Sequence, residues 1–356
     1  MSESTYDQKR SFEATPEPPG EHEPGDVDPL EAPVGSEFVV QQHHATALHH
    51  DVRLEMMNGD VPVLVSWAVP KGLPRRRGER HLAIRTEDHP MKYATFAGSI
   101  PEGEYGGGEV RIFDHGSYEL VGRSGDRITF RLHGERLAGI WHLVHTGLMN
   151  GKESWLAIMS EDQRQDPDPW PDAVPMQSIS SDHHDDGEGW GYEPRWPGAR
   201  VLARCTDETH LFDSAGDEIT DTFPDLARLH DRVVALNAMV DGVVVAFDDG
   251  RPSPERLEKA GDSGAPVPIA YLLFDLIYLD GKDLSDHPLR KRRELLEELI
   301  VPSDKVQISP LTEGNGTALL AAVAEQGLDG AVAKRLDSRY QTGASTEDWI
   351  AIPTSG

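Results

Sequence analysis

Nine short segments of strand character follow one another between residues 35 and 160, and no stretch of helical period interrupts them. They are Phe38–Gln42, Asp51–Glu55, Val61–Val69, His81–Glu87, Glu109–Phe113, Ser117–Val121, Arg127–His133, Gly139–His145 and Ser154–Ser160. Turn chemistry separates them at Asn58-Gly59, Asp114-His115-Gly116, Ser124-Gly125-Asp126 and Asn150-Gly151. Such a run predicts a small all-β barrel or sandwich. After residue 193 the pattern alternates. Phe223–Val233, Leu289–Ile300 and Thr317–Gln326 have helical spacing, whereas Met239–Phe247, Ile269–Leu279 and Gly330–Arg335 read as strands, which predicts an α+β or α/β domain. With 356 residues the chain is too long for one ordinary domain, so two are expected.

The formal net charge of −28 argues at face value against nucleic acid and against an anionic membrane surface. Its distribution changes that reading. Residues 1–34 hold nine acids, two bases and six prolines, and are expected to form a disordered acidic tail. Residues 161–192 hold nine acids and one base, including Asp166-Pro167-Asp168-Pro169 and Ser181-Asp182-His183-His184-Asp185-Asp186, and read as an acidic linker. Residues 35–160 balance 15 acids with 14 bases and add ten histidines, while residues 193–356 carry 29 acids and 17 bases. Most of the excess negative charge thus lies outside the β-rich segment, whose bases cluster at Lys71, Arg75-Arg76-Arg77 and Arg80. The longest apolar run, Val61–Val69, falls far short of a membrane span. Met1–Arg10 lacks the apolar core of a secretory signal, and the lone Cys205 has no internal disulfide partner, so a cytoplasmic protein is expected.

The densest chemical signal is the stretch from Val40 to Glu55. If residues 49–55 form a strand, His49, Asp51, Arg53 and Glu55 share one face, and His50, Val52 and Leu54 take the other. His43, just past the preceding strand, can return to the same spot and complete two histidines and a carboxylate. That set suits Mn, Fe, Zn or Ni with positions left for water and substrate oxygens. Arg53 beside it would meet a phosphate oxygen through its planar fork. The alternative is a solvated polar face on an edge strand with a histidine-rich turn. Glu87-Asp88-His89-Pro90-Met91-Lys92-Tyr93 places a further histidine and tyrosine at the end of a later strand, with the basic run between the two histidine motifs. Gly103 to Gly108 is glycine-rich but lies between strands, and reads as a turn rather than a phosphate loop. Cys205 reads as a buried strand residue, and His183-His184 as part of the linker.

From Phe38 to about Ser160 the chain resembles the 3′-phosphoesterase domain of bacterial DNA ligase D and its stand-alone relatives. The resemblance rests on Phe38-Val39-Val40-Gln41, His43, Leu48-His49, Asp51, Arg53-Leu54-Glu55 and Ser66-Trp67-Ala68-Val69-Pro70-Lys71-Gly72. It continues through Glu87-Asp88-His89-Pro90, Tyr93, Ile100-Pro101-Glu102-Gly103-Glu104-Tyr105-Gly106 and Phe130-Arg131-Leu132-His133-Gly134. It implies a Mn-dependent DNA-repair enzyme that removes a terminal ribonucleoside from a primer and then the remaining 3′-phosphate, leaving a 3′-OH. By the same resemblance His43, His49 and Asp51 bind the metal, and Arg53, His89 and Tyr93 are catalytic. Gln41, Lys71 and His81 lie at the phosphate, with His81 standing where the family has an arginine; an imidazole there weakens the phosphate clamp.

Residues 193–352 resemble the adenylyltransferase domain of ATP-dependent DNA ligases. The matching stretches are Val240-Asp241-Gly242-Val243-Val244, Phe274-Asp275-Leu276-Ile277-Tyr278-Leu279-Asp280-Gly281, Leu328-Asp329-Gly330-Ala331-Val332-Ala333-Lys334-Arg335 and Asp348-Trp349-Ile350-Ala351-Ile352. Ligation in that family needs a lysine nucleophile, but Glu193-Pro194-Arg195-Trp196 carries Arg195 there, and a guanidinium does not deprotonate at usable pH. Pro197, Val243, Asp329 and Ala351 depart from the family's charged motifs, Lys334 alone survives, and no oligonucleotide-binding barrel is expected after Ile352. The expectation is a two-domain chain: a phosphoesterase-like barrel at 35–160, and at 193–356 a nucleotidyltransferase-like α+β domain that has lost ligation and is not adenylylated by ATP. Its partners would be DNA or DNA/RNA primer 3′ ends and a repair polymerase or ligase, near the nucleoid and without membrane. The alternative is a non-catalytic DNA-repair scaffold.

Overall fold

The computed structural model describes residues 5–20, 25–164, 167–181, 187–263 and 267–354, in two units, Met1–Gln165 and Asp166–Gly356. The first unit contains β1 (Val34–His44), β2 (Leu48–Asn58), β3 (Val61–Val69), β4 (Arg80–Arg85) and the short β5 (His89–Pro90) and β6 (Gly98–Ile100). These are followed by β7 (Gly108–Ser124), β8 (Arg127–Gly134), β9 (Ala138–Met149) and β10 (Lys152–Asp162). Antiparallel pairing runs β1-β2-β3-β4-β10-β9-β8-β7, and β7 returns to β1, so the sheet closes into a barrel and leaves no open edge among these strands. Strand alternation sorts β2 cleanly: Val52 and Leu54 join the apolar core with Trp67, Phe130, Trp141 and Trp155, while Asp51 and Arg53 face the other way.

Two expected strands, Glu109–Phe113 and Ser117–Val121, are one. Asp114-His115-Gly116 is not a turn: it pairs in register with Val40, Val39 and Phe38 of β1, directly after a one-residue register shift at Phe113. The Asp114 carboxylate accepts from the backbone N–H of His115 at 3.0 Å and from those of Glu135, Arg136 and Leu137 at 3.1, 3.2 and 2.7 Å, and so ties down the β8–β9 connection.

The segment 1–34 was expected to be disordered, and the described part of it is packed instead. Tyr6 is fully buried, Val27 N–H donates to Asp88 Oδ2 at 2.7 Å, and Asp88 N–H donates to Asp26 Oδ1 at 2.8 Å. Average composition hid a few anchors, and each anchor meets a matching partner on the barrel. Residues 1–4 and 21–24 lie outside the described residues. The expected linker 161–192 is also built into the fold where it is described. Residues 161–162 finish β10, the Trp170 ring stacks on Tyr278 with centroids 4.1 Å apart, and Met176 is fully buried. Residues 165–166 and 182–186, which include His183-His184, lie outside the described residues.

The second unit contains β11 (Gln177–Ser180), β12 (Trp190–Pro194), β13 (Ala199–Cys205), β14 (Thr209–Phe212), β15 (Ala238–Asp248), β16 (Arg251–Pro252) and α1 (Pro254–Ser263). It continues with β17 (Ile269–Leu279), β18 (Lys282–Asp283), α2 (Leu289–Leu299), β19 (Val306–Ile308), β20 (Thr312–Glu313), α3 (Gly316–Glu325), β21 (Gly330–Arg335) and β22 (Ser345–Pro353). One sheet runs β11-β22-β21-β12-β20; the other runs β14-β13-β15-β17-β18, with β16 and β19 at its margins. β17 is central and buried over nearly its whole length, and its one charge, Asp275, is held by Arg292 of α2 at 2.7 and 2.8 Å. The helix expected at Phe223–Val233 is a series of 3₁₀ turns. Pro224 interrupts the segment, and the Thr209 hydroxyl takes the His230 N–H at 3.0 Å, so a tertiary contact overrides the local spacing. Among the described residues no helix is long and apolar enough to cross a membrane.

Candidate metal and phosphate site

The β1–β2 hairpin register places His43 opposite His49 and Gln41 opposite Asp51, so the return of one strand on the other gathers the expected group without any long-range packing. One ligand atom from each of His43, His49 and Asp51 lies within 4.8 Å of the others. His43 Nδ1 is 3.7 Å from Asp51 Oδ2, and His49 Nε2 is 3.6 Å from Asp51 Oδ1. The far nitrogens are already committed: His43 Nε2–H donates to Gly106 O at 2.8 Å and His49 Nδ1–H to Ala47 O at 3.0 Å. Those bonds set each tautomer so that the nitrogen facing Asp51 keeps its lone pair, as metal-ligating imidazoles require. The donor set therefore fits a divalent transition ion. The glycine-rich turn that holds His43 depends on positive φ at Gly103 and Gly106, 95° and 77°, which explains its composition without a phosphate-loop role.

Asp51 is joined to the rest of the site by Arg53, whose Nη2 donates to Asp51 Oδ2 at 2.8 Å, Nε to Gln41 Oε1 at 2.7 Å and Nη1 to Ser66 Oγ at 2.8 Å. Burial alone would raise the Asp51 pKa, but the Arg53 charge beside it and the contacts from His43 and His49 hold the carboxyl well below its usual range. The Arg53 guanidinium lies over the Tyr93 ring, 4.7 Å from its centroid, and Tyr93 packs edge-on against His89 at 4.8 Å. His89 is buried, and desolvation together with the nearby charges of Arg53 and Arg10 pushes its pKa well down, so the ring is neutral. Its Nδ1–H donates to Glu87 O at 2.8 Å, which leaves Nε2 as an acceptor for Arg10 Nη2 at 3.3 Å.

Of the three residues expected at the phosphate, Gln41 and His81 have other partners and Lys71 is exposed. Gln41 is fully buried and spends its amide on Tyr93 O and Phe96 O at 3.1 and 2.8 Å while its oxygen takes Arg53, so it positions Arg53 and the 91–96 segment. His81 donates from Nδ1 to Gly72 O at 2.7 Å and places Nε2 3.2 Å from Glu79 Oε1, which fastens β4 to the preceding loop. Lys71 is exposed in that loop, just past Val69, the partner of His50 in the sheet. Arg76, Arg77 and Arg80 are exposed nearby in sequence.

The residues missed from sequence come from the amino-terminal arm and from its acceptor on the barrel. The Tyr6 ring lies 4.9 Å from His89 and 6.2 Å from Tyr93. Arg10 bonds Glu17 Oε1 at 2.8 Å and Glu87 Oε1 at 3.1 Å, all three side chains being buried, and Lys9 bonds Glu87 Oε2 at 2.9 Å. The arm therefore completes the wall of the site beside His89 and adds a second guanidinium to it. The available signal was local. Both of the tail's bases and both of its aromatic residues fall within Tyr6–Phe12.

In the second unit the surviving lysine is enclosed. Lys334 Nζ donates to Glu193 at 2.9 Å and lies over the Phe274 and Trp349 rings at 3.8 and 4.2 Å. Desolvation lowers its pKa, with Glu193 acting against that shift. Arg200 grips Asp241 with two bonds at 2.8 and 2.7 Å, and Tyr340 Oη donates to the same carboxylate at 2.6 Å while accepting Met176 N–H at 3.0 Å. Tyr340→Phe, which removes both bonds, is expected to destabilise this unit by about 2 kcal/mol, read as a lower urea midpoint with unchanged slope. Arg195 is exposed at the end of β12.

Residues 41–145 match the family model of the DNA Ligase D 3′-phosphoesterase domain, and residues 173–352 match that of the ATP dependent DNA ligase domain. The multifunctional non-homologous end joining DNA repair protein LigD of Mycobacterium tuberculosis is 35% identical over 357 residues, covering 97% of this chain and 44% of the relative. The LigD of Pseudomonas aeruginosa is 31% identical, covering 98% and 46%. The chain thus spans less than half the length of these relatives. Among solved structures, mycobacterial DNA ligase D complexed with ATP and MES is similar with a TM-score of 0.43 and 26% identity, over 52% of this chain and 61% of that one.

Proposed function

The chain belongs to the DNA ligase D family, as a 3′-phosphoesterase domain followed by an ATP dependent DNA ligase domain, and from that premise we propose that it trims the 3′ ends of DNA in end-joining repair. The observation that carries this reading is the His43–His49–Asp51 group, its ligand atoms within 4.8 Å of one another and its carboxylate bonded to a buried arginine. In the first reaction water adds to the phosphorus of the terminal phosphodiester and the bond from phosphorus to the 5′-oxygen of a terminal ribonucleoside breaks. The nucleoside leaves with a 5′-OH and the primer keeps a 3′-phosphate. In the second, water attacks again, the bond from phosphorus to the 3′-oxygen breaks, and inorganic phosphate and a 3′-OH result.

His43 Nδ1, His49 Nε2 and Asp51 would hold a divalent ion, Mn²⁺ on this reading, which supplies Lewis acidity toward a phosphoryl oxygen. Arg53 and Arg10 provide fixed positive charge on the protein side, pre-arranged by Gln41, Ser66 and Glu87 so that little reorganisation is needed as charge grows on phosphorus. His89 is neutral in the free protein, and a phosphate dianion arriving beside it would favour its protonation and make Nε2 a donor. Tyr93 stays a neutral phenol, since burial raises its pKa well above 10.0, and its ring orients Arg53 and His89. The exposed bases Lys71, Arg76, Arg77 and Arg80 suit the flanking phosphates of a primer strand. The product, a clean 3′-OH, is what a repair polymerase or ligase consumes.

The second unit, on this proposal, does not ligate. Arg195 stands in the position of the nucleophile, and Lys334 is paired with Glu193 instead of free. Incubation with labelled ATP and Mg²⁺ is expected to leave no covalent AMP on the protein after denaturing electrophoresis. A labelled band that survives denaturant and alkali and is released by acid, as a phosphoramidate is, would refute it.

A further inference from the structure

Among the described residues Tyr105 is the only phenylalanine, tyrosine or tryptophan left exposed, 42% of it accessible to solvent. A single exposed ring needs no explanation in general, but the place of this one gives it a use. It sits in the turn from Pro101 to Gly107, which is braced by Glu104 N–H donating to Pro101 O at 3.2 Å and Gly107 N–H to Glu104 O at 3.0 Å. The turn is tight, since a Cβ on Gly107 would stand 2.8 Å from Pro101 O. The ring is therefore presented on a fixed frame. Two sides of the proposed reaction site meet at it. Its neighbour Gly106 accepts the His43 Nε2–H at 2.8 Å, so the turn that carries the ring also holds one of the three candidate metal ligands. On the other side Tyr105 Oη donates to Glu87 Oε2 at 3.4 Å, and the Arg10 guanidinium, 5.4 Å from the ring centroid, reaches His89 Nε2 at 3.3 Å.

The surroundings of the ring indicate what it would meet. Lys9 Nζ stands 5.0 Å from the centroid, its side chain 37% accessible, and donates to Tyr105 Oη at 3.5 Å. The two bonds of Oη are long and hold only the hydroxyl edge. An open aromatic ring with an accessible ammonium beside it is the pairing by which proteins hold a nucleic-acid strand without reading its sequence: the ring takes the face of a base and the cation a backbone phosphate. The two proposed reactions act on the same phosphorus and differ in the group that leaves, so a contact that serves both must lie on the strand that stays. Resting on the proposed function, we infer that Tyr105 is the stacking platform for the base of the last retained nucleotide of the primer.

The test removes the ring and the base in turn. The full chain and its Tyr105→Ala and Tyr105→Phe variants would be assayed with Mn²⁺ on a primer ending in a 3′-phosphate and on one ending in a ribonucleotide. Each primer would be made with its last retained nucleotide intact or abasic, and the second also with an abasic terminal ribonucleotide. In parallel, binding of the fluorescein-labelled primers without metal would be followed by anisotropy. Tyr105→Ala is expected to raise KM about ten-fold on both intact primers, the lower end of what one base–aromatic stack is worth. Tyr105→Phe keeps the ring and loses the hydroxyl bonds, and should stay near the wild type. When the last retained nucleotide is abasic, all three proteins should share one KM. A loss in Tyr105→Ala that persists on those abasic primers would overturn the assignment in favour of a structural role. Unchanged KM in Tyr105→Ala would overturn it, as would an equal loss in Tyr105→Phe, which would make the residue a latch for the arm. A loss abolished only by the abasic terminal ribonucleotide would overturn it by moving the ring to the departing base. If the wild type cleaves neither primer, the enzymatic reading fails separately and anisotropy decides. Weaker binding of the intact primer to Tyr105→Ala, with equal binding of the abasic one, would support the platform, and no difference between the proteins would overturn it.

Discussion

Replacing His49 by alanine is expected to lower metal-dependent cleavage of a ribonucleotide-ended primer by at least about 10²-fold, since even an outer partner of a metal ligand commonly costs that much. His49 is the most exposed of the three proposed ligands, its side chain 22% accessible against 8% and 9% for His43 and Asp51. It makes one hydrogen bond, to the Ala47 carbonyl, and no part of the apolar core rests on it. The urea midpoint of the metal-free protein should therefore move little, which distinguishes a lost ligand from a lost fold. A small effect on cleavage would mean that the ion, if used, is held elsewhere.

Arg10→Ala should act through the arm. Removing the guanidinium leaves Glu17 and part of Glu87 as buried carboxylates facing one another's former partner, a change worth about 3 kcal/mol or more. The barrel has its own closed hydrogen-bond ladder, so the expected response is release of the arm rather than global unfolding. Limited proteolysis should cut within residues 5–20 in the variant and spare them in the wild type, and both end-trimming reactions should fall with it. Acid should mimic the variant. Burial alone would raise the Glu87 pKa, but the Lys9 hydrogen bond and the Arg10 charge outweigh it and hold the carboxyl below its ordinary range. A depressed carboxylate contributes docking energy that is present above its free pKa and disappears as pH falls through the lowered value. Arm protection should thus be full at neutral pH and lost only in the acid range below about pH 4. An arm that stays protected in Arg10→Ala would show that the apolar contacts of Tyr6 and Phe12 alone hold it.

The parts legible in the sequence were those governed by short-range periodicity. Val61–Val69, Ile269–Leu279 and Gly330–Arg335 appear in the structure with the expected limits, because alternation or a continuous apolar run decides them locally. The grouping of His43, His49 and Asp51 was legible for the same reason: a single hairpin register brings the three together. What was hidden depended on partners distant in sequence. The arm looked unfoldable by composition because the groups that stabilise it, Glu87, Asp88 and His89, lie more than sixty residues away. Asp114-His115-Gly116 carries turn residues, yet pairing of all three with β1, and of Gly116 with Gly134 of β8, keeps it extended. Gln41 and His81 were assigned by position in a motif, and only their hydrogen bonds show them supporting Arg53 and a loop.

The charge distribution now has a physical sense. The −28 of the chain lies mostly outside the barrel, which keeps exposed bases at Lys71, Arg76, Arg77 and Arg80. Such a molecule should bind a DNA end through one local patch and resist coating the duplex, with affinity that falls as salt rises.

The central claim is that the barrel hydrolyses 3′ ends through the His43–His49–Asp51 group. The most direct measurement incubates the wild-type chain with a 5′-labelled primer ending in a ribonucleotide, with and without Mn²⁺, and follows the product over time on a sequencing gel. The account expects a Mn²⁺-dependent product ending first in a 3′-phosphate and then in a 3′-OH. A primer that stays intact at every concentration of Mn²⁺ and other divalent transition ions would contradict it.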